Sequence, residues 1–562
     1  MSGIIARVRL WLLSRPLRVG ALFAGAFAAL VHQPFGFLPG LLAYPALLWM
    51  LDRLTDPGRA SLFKAFQIGW LSGFVYFLIS CWWVAEAFMV DAESHAWMAP
   101  FAATLLPALL GVFWGLAFAL YRLWILTWTA GQADQRGPVW RFVVFSLLFV
   151  GFEWLRGWVF GGFPWNPTGA SWQAGSAMSQ AAAFVGVTGL SLITLLGMTG
   201  MAVVRSGSNW RAVTPAIPGV LLLVLVFTSG SLRLQAAGPV VHPEADKAML
   251  TVRLIQPNIG QAAKWSPDHF AKVVETYLRL STLPPQAPAK RRPEVIVWSE
   301  GALPASANEL FAAESWTAPL IAGVLQPGQT LMMGAYRSHR EPDQPLRWFN
   351  SLLVLQPLEG RPGTAQVVGL YDKFRLVPFG EYLPLDELLT PLGVKELARI
   401  GDGYTSGPRP APLRVPDVPV FQPLICYEGL YSGLAQPSAG VRARWILNIS
   451  NDAWFGPTSG PRQHFNLSAY RAIEEGLPMV RSTPTGISVV MDPYGRTVPG
   501  AMIAMGQAGV IDVNIPQSGE LTMFTILRNG VGGLFVLFFL VILAFFGLNR
   551  VKVRDILHYV VK

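Results

Sequence analysis

Three apolar, strand-like runs in this 562-residue chain each lead into a side chain able to do chemistry. Val295-Ile296-Val297-Trp298-Ser299 leads to Glu300, Val367-Val368-Gly369-Leu370-Tyr371-Asp372 leads to Lys373, and Phe421-Gln422-Pro423-Leu424-Ile425 leads to Cys426. A thiol that attacks an ester or amide needs a base, and a carboxylate desolvated at a strand end can serve. The tetrahedral intermediate gathers negative charge on oxygen, which an ammonium stabilises. Together a Cys nucleophile, a Glu base and a Lys oxyanion partner form an acyl-transfer site. Taken singly, each residue has a plainer reading: Cys426 as a small buried hydrophobe, Glu300 and Lys373 as an ion pair. If the three strands lie in one sheet, the side chains converge at one edge.

The elements that would position them read as alternating strands and helices. Leu250–Ile255, Glu294–Trp298, Thr330–Gly334, Asn350–Leu355, Val367–Leu370, Val420–Cys426 and Trp445–Asn448 have the length and composition of strands. Phe270–Ser281 has apolar residues at helical spacing, and Gln463–Gly476 is a second helical stretch. Such alternation predicts an α/β or layered sandwich domain over 234–528. Pro284–Pro293 reads as a surface loop.

The rest of the chain points to a membrane. Hydrophobic residues make up 52% and charged residues only 14%, against about a quarter in ordinary soluble domains. About 20 apolar residues span the hydrocarbon, and candidates lie near 17–34, 37–51, 65–88, 99–128, 141–160, 182–204 and 214–233, then at 529–548. The net charge of +10 is not one stripe with interleaved aromatics, so nucleic acid is not expected as a partner. Lys and Arg collect instead in every second loop: Arg7 to Arg18, Arg53 to Lys64, Arg122 to Arg141, Arg205 and Arg211, then Arg550 to Lys562. The loops near 34–37, 89–97 and 161–180 have none. The positive-inside rule then places both termini in the cytoplasm and 234–528 on the opposite side. A retained first helix fits the N-terminus better than a cleaved signal, because further spans follow with consistent loop charges.

Within the spans, Glu86, Glu153 and Arg156 are ionisable, which makes each a functional candidate by default. Glu153 and Arg156 are three residues apart, the spacing of a structural ion pair on one helix face. The turn Gly161-Gly162-Phe163-Pro164-Trp165 predicts an interfacial Trp165 at headgroup depth. The two cysteines, Cys81 and Cys426, exclude a disulfide framework.

Several runs give the chain a family likeness: Gln256-Pro257-Asn258-Ile259, Lys264-Trp265, Trp298-Ser299-Glu300, Tyr371-Asp372-Lys373, Leu376-Val377-Pro378-Phe379-Gly380-Glu381, Ile425-Cys426-Tyr427-Glu428 and Asn448-Ile449-Ser450-Asn451-Asp452-Ala453-Trp454-Phe455-Gly456. With them the chain resembles the nitrilase superfamily, whose members use Glu, Lys and Cys in that order. With the spans it resembles the membrane-embedded branch, the apolipoprotein N-acyltransferases. The resemblance implies a polytopic helical bundle of about eight spans over 1–233 and 529–562. This bundle would carry a nitrilase-like α/β domain, an αββα sandwich, on the periplasmic side of a bacterial inner membrane.

It also implies a reaction. Cys426, activated by Glu300, takes an acyl chain from a phosphatidylethanolamine-like phospholipid as a thioester. The N-terminal amine of a diacylated apolipoprotein then receives it, and Lys373 stabilises both oxyanions. Glu381 matches a supporting carboxylate, and Trp265, Asn350, Tyr427, Glu428 and Trp454 match positions near the pocket. No metal cluster, phosphate-cradling loop or dinucleotide fingerprint stands out, so no cofactor is expected. Leu383–Leu389 and Leu392–Leu397 read as an amphipathic arm or as an ordinary packed helix. Ser299, Gly301, Arg375 and Pro484 depart from the family's usual residues, which bears on pocket detail rather than reaction class. Two other readings are a membrane-tethered amidase that passes the acyl group to water and a scaffold that only binds lipoproteins.

Overall fold

The computed structural model describes residues 16–56, 58–129, 139–203, 216–384, 403–436 and 440–527. The expected span at 529–548, the basic tail after it and the expected arm from residue 385 onward lie outside these residues, as do Arg7, Arg9, Arg15, Arg136, Arg205 and Arg211.

Each of the seven apolar segments before residue 240 contains a helix. These are α1 (Pro16–Ala29), α2 (Ala43–Asp52, entered through a 3-10 turn at Leu38–Leu42), α3 (Gly58–Cys81), α4 (Ala99–Thr129), α5 (Val139–Arg156), α6 (Ala182–Thr199) and α7 (Ile217–Ala237). Among the described residues four stretches are long and apolar enough to cross a membrane: Gly58–Met89, Ala92–Leu126, Met178–Ala202 and Ile217–Ala237. The 18 residues of α5 carry Arg141, Glu153 and Arg156. Small residues let α3 and α4 pack backbone to backbone: a Cβ on Gly73 would lie 3.0 Å from Gly111 Cα, and one on Gly69 2.5 Å from the Trp114 carbonyl.

Two expectations for this region are corrected. Among the described residues Glu153 and Arg156 form no ion pair with each other. Glu153 Oε1 accepts from the Thr168 amide and hydroxyl, both at 2.8 Å, and Arg156 Nη1 donates to the carbonyls of Phe163 (2.7 Å) and Trp165 (2.8 Å). Each side chain satisfies backbone groups of the 163–168 loop, which would otherwise be unpaired in an apolar setting. Trp165 does not lie on a surface that faces lipid. It is 1% exposed, drawn inward because its indole N–H donates to Gln463 Oε1 at 2.7 Å.

The described residues of the following domain form twelve strands: β1 (Thr251–Gln256), β2 (Val295–Trp298), β3 (Thr330–His339), β4 (Arg347–Pro357), β5 (Ala365–Asp372), β6 (Leu413–Val415), β7 (Val418–Ile425), β8 (Trp445–Ile449), β9 (Met479–Ser482), β10 (Ser488–Met491), β11 (Thr497–Ile503) and β12 (Gly509–Asn514). They form two six-stranded sheets, ordered β12-β1-β2-β3-β4-β5 and β11-β10-β9-β8-β7-β6. Alternate residues face opposite sides of a strand. Val252, Leu254, Val297 and Val354 therefore meet Phe421, Ile425, Leu447 and Val480 between the sheets, while Ile255, Ile296, Trp298 and Met333 face outward onto helix α8 (Phe270–Ser281).

The outer face of the second sheet is covered by helix α9 (Gly460–Glu475). Leu424, Ile446, Met479 and Val489 of that sheet, Tyr470 and Ile473 of α9, and Trp83, Trp165 and Ala182 of the bundle belong to one continuous apolar core. The order of layers is α8, sheet, sheet, α9, membrane bundle. The catalytic candidates at the strand ends are thus held against the bundle, not on a free-standing domain.

Candidate active site

The three candidate catalytic strands do not share one sheet. β2 pairs parallel with β3, and β4 turns back antiparallel to both β3 and β5. β2 and β5 therefore run the same way, so Glu300 and Lys373 follow their C-terminal ends on one edge. Cys426 follows β7 of the facing sheet. The site closes across the sandwich, whose interior is too apolar to leave three strand-end polar groups apart.

Lys373 is the hub. Its Nζ donates to Glu300 Oε1 at 3.2 Å and to Glu381 Oε1 at 2.9 Å, and it is 1% exposed. Asn350, from the intervening β4, donates from Nδ2 to the same two oxygens at 2.7 and 2.8 Å. Glu381 Oε2 accepts from the Val377 amide at 2.8 Å, which ties the 377–381 turn to the site. Glu300 Oε2 is buried and receives no N–H or O–H from the described residues. Burial opposes ionisation of Glu300, yet the Lys373 ammonium, the Asn350 amide and the Cys426 thiol outweigh it and hold the carboxyl below its usual range. For Lys373, burial favours the neutral amine, but Glu300 and Glu381 overcome it and push the pKa well above the ordinary lysine value.

Cys426 is buried and sits at φ 51° in the left-handed region, a conformation that costs a non-glycine residue roughly 1–2 kcal/mol. It bends the chain from β7 into a 3-10 turn at Cys426–Leu430. Burial raises its pKa first and the Glu300 charge adds to this, so the resting thiol keeps its proton despite Lys373. The resting site therefore holds a thiol, a carboxylate with one oxygen unpaired among the described residues, and an ammonium.

Glu428 fastens the Cys426 turn to the segment that follows β5. Its Oε2 accepts from the Ile425 amide at 2.6 Å, and its Oε1 accepts from Tyr371 Oη (2.6 Å) and the amides of Phe374 (2.8 Å) and Arg375 (3.1 Å). Tyr427 Oη donates to the Gly162 carbonyl of the bundle at 2.7 Å, and Tyr431 Oη to Gly161 at 2.9 Å. Both glycines have positive φ, and a Cβ on Gly161 would fall 1.9 Å from Tyr382 Oη. The polar atoms of Tyr427 and Glu428 are thus engaged by the protein. Trp265 and Trp454 are different, with 48% and 39% of their surface exposed. Trp265 stacks on Tyr336 with ring centroids 5.7 Å apart.

Other groups escaped the sequence reading. Lys264 is buried and donates to the Gly301 carbonyl, next to Glu300; burial lowers its pKa to about 8 against the pull of Glu300. Behind Cys426, His464 on α9 places Nε2 3.2 Å from the Cys426 carbonyl and Nδ1 2.9 Å from Asp452 Oδ1. Arg481 Nη2 reaches both Asp452 oxygens at 3.0 and 2.9 Å. Burial alone would raise the Asp452 pKa, but Arg481 and His464 hold it well below the carboxylate range. The Asn448–Gly456 run and the helical stretch from Gln463 carried the signal, but neither says which residue reaches the cysteine backbone.

Two regions of the chain match known families: residues 24–200 match the apolipoprotein N-acyltransferase N-terminal domain and residues 251–520 the carbon-nitrogen hydrolase domain. The chain is 47% identical over 504 residues to an apolipoprotein N-acyltransferase of Caulobacter vibrioides, covering 90% of each chain. It is 36% identical over 510 residues to that of Brucella melitensis, covering 89% of this chain and 90% of the relative. An amidase from Nesterenkonia, solved as a structure, aligns with 49% of this chain and 93% of its own at 16% identity and a TM-score of 0.33. The similarity to the curated relatives runs through both the bundle and the sandwich, and the chain belongs to the apolipoprotein N-acyltransferase family.

Proposed function

We propose that the chain moves a fatty acyl group from a phosphatidylethanolamine-like phospholipid, through a thioester on Cys426, to the N-terminal α-amine of the diacylglyceryl-cysteine of apolipoproteins. The observation that carries this reading is the bare oxygen of Glu300 in a buried Glu-Lys-Cys cluster whose nucleophile turn is bonded to the membrane bundle. Glu300 is the general base, Cys426 the nucleophile and Lys373 the oxyanion partner, with Asn350 and Glu381 holding the first and last in register. Tyr427 and Glu428 position the turn, and the exposed Trp265 and Trp454 are the candidates to meet substrate.

In the first step Glu300 Oε2 takes the thiol proton as sulfur attacks the ester carbonyl. A C–S bond forms, the ester C–O bond breaks, and the proton leaves with the lysophospholipid oxygen. In the second, the neutral amine attacks the thioester carbonyl and passes its proton to Glu300. The C–N bond forms, the C–S bond breaks, and the thiolate recovers the proton. Splitting one substitution into two gives ping-pong kinetics. The spacing of Lys and Arg along the loops supports an inner-membrane placement with about eight spans, 529–548 being the last. Both termini then face the cytoplasm and the sandwich faces the periplasm.

The test uses the purified full chain, phospholipid vesicles and two diacylated lipopeptides, one with a free N-terminal amine and one N-acetylated. The free amine gains one acyl chain by mass and the blocked one does not, and Cys426→Ala abolishes the gain. Acyl release to water with no peptide product would favour a hydrolase instead.

A further inference from the structure

Arg375 lies two residues beyond the lysine hub, at the seam between the sandwich and the bundle. Its guanidinium carbon sits 4.8 Å from the Trp158 ring centroid, 5.2 Å from Tyr431 and 5.3 Å from Phe374. Its backbone N–H is bound to Glu428, but its guanidinium has no hydrogen bond or ion pair among the described residues, and Nε is buried without a partner. Arg375 is partly buried, and the fully buried arginines of the domain are each matched by an acid: Arg253 by Asp512 at 2.7 Å, Arg471 by Glu474 at 2.9 Å and Arg481 by Asp452 at 2.9 Å. A guanidinium held on its faces by aromatic rings keeps its edges free, and those edges fit the paired oxygens of a phosphate. The cage includes Trp158, which is half exposed beside the strongly exposed Phe160 on the bundle loop, a composition suited to a membrane interface.

We infer that Arg375 binds the phosphodiester of the acyl-donor lipid, an assignment that rests on the acyl-transfer reading above. The Cα atoms of Lys373 and Arg375 are at most about 7 Å apart, so the two cations stand on one short segment, as the ester carbonyl and the phosphate do on one glycerol. With the phosphate on Arg375, the ester carbonyl lies toward Lys373 and Cys426. The cation thus selects phospholipids over neutral glycerides, whatever group the phosphate bears.

The experiment compares Cys426 acylation in wild type, Arg375→Gln and Arg375→Lys with two donors of equal chain length, a phosphatidylethanolamine and a phosphate-free p-nitrophenyl ester. Losing a charge-assisted contact raises the apparent KM for the phospholipid in Arg375→Gln by roughly ten- to a hundredfold. Acylation by the phosphate-free ester stays within about twofold of wild type, since a charged hydrogen bond is absent from that complex. Arg375→Lys recovers part of the phospholipid affinity. An equal loss on both donors would assign Arg375 to packing and overturn the inference, as would unchanged phospholipid kinetics. Competition by inorganic phosphate, present in wild type and absent in Arg375→Gln, would reassign the site to a free anion. If wild type is acylated by the p-nitrophenyl ester but never by phospholipid, the parent reading fails with it; phospholipid acylation that ignores Arg375 sinks this inference alone.

Discussion

Replacing Glu300 by Gln separates its proposed role as base from its place in the scaffold. The amide oxygen can occupy the position of Oε1 and keep its bonds from Asn350 (2.7 Å) and Lys373 (3.2 Å). The amide nitrogen then takes the place of Oε2, which receives no N–H or O–H from the described residues in the native site. Lys373 keeps its 2.9 Å bond to Glu381, so its charge is still compensated and the fold is preserved. What disappears is proton transfer, which accounts for about 10²–10⁴ in rate, or roughly 3–5 kcal/mol of barrier. The thiol responds in the opposite sense. Burial is the main cause of its raised pKa, but Glu300 is the second and Lys373 opposes both. Removing the Glu300 charge therefore lowers the pKa of Cys426. The assay is single-turnover acylation of Glu300→Gln by phospholipid, paired with the pH dependence of Cys426 alkylation by iodoacetamide. The expected result is acylation slowed at least a hundredfold while alkylation begins at lower pH than in wild type. Acylation within tenfold of wild type would refute the assignment of the base, and an upward thiol shift would refute the electrostatic account.

Four further outcomes are expected. Cys426→Gly is more stable than Cys426→Ala by about 1 kcal/mol, because glycine takes φ 51° without strain; equal thermal midpoints in detergent would contradict this. Gly161→Ala impairs acylation, since its Cβ would meet Tyr382 Oη at 1.9 Å and Pro378 Cγ at 2.8 Å, and adding Tyr382→Phe recovers part of the loss. No recovery in that double variant would remove the steric explanation. Because Glu300 is held below its usual range and Lys373 well above its own, both stay charged through neutral pH. Single-turnover acylation should be lost on the acid side only as pH falls through the lowered Glu300 pKa, below about 4.3, so an acid limb near pH 6 would count against the account. Asp512→Ala leaves Arg253 buried and unpaired, which costs about 3–5 kcal/mol and lowers the thermal midpoint; an unchanged midpoint would contradict it.

Helix α8 was readable to the residue because one of its faces packs on the first sheet and the other faces water, which leaves a periodic stripe in the sequence. Helix α9 has no such stripe. It lies between a sheet and the bundle and buries Gln463, His464, Asn466, Arg471 and Glu474 alike, so its polar residues read as surface until their partners are known. The chemistry at the strand ends was legible because Glu300, Lys373 and Cys426 each interrupt an apolar run. Which sheet each strand joins is decided by pairing between distant segments, and no local spacing records that β7 faces β2 and β5. Short or half-exposed strands such as β6 and β11, with burial broken by exposed residues, gave too little pattern. Trp165 and the Glu153–Arg156 spacing misled for one reason. Composition suggested lipid and a helix face, but loop carbonyls and Gln463 compete more strongly for those donors.

The role proposed for Cys426 is to carry the acyl group between donor and amine. The most direct measurement is intact-protein mass spectrometry of the full chain after incubation with a phospholipid of known acyl chains, then after addition of a diacylated lipopeptide with a free amine. The account predicts an adduct of one acyl chain that maps to Cys426, is absent in Cys426→Ala, and reappears on the peptide amine as it leaves the protein. Peptide acylation at the wild-type rate in Cys426→Ala, or an adduct that persists when the amine is added, would contradict it.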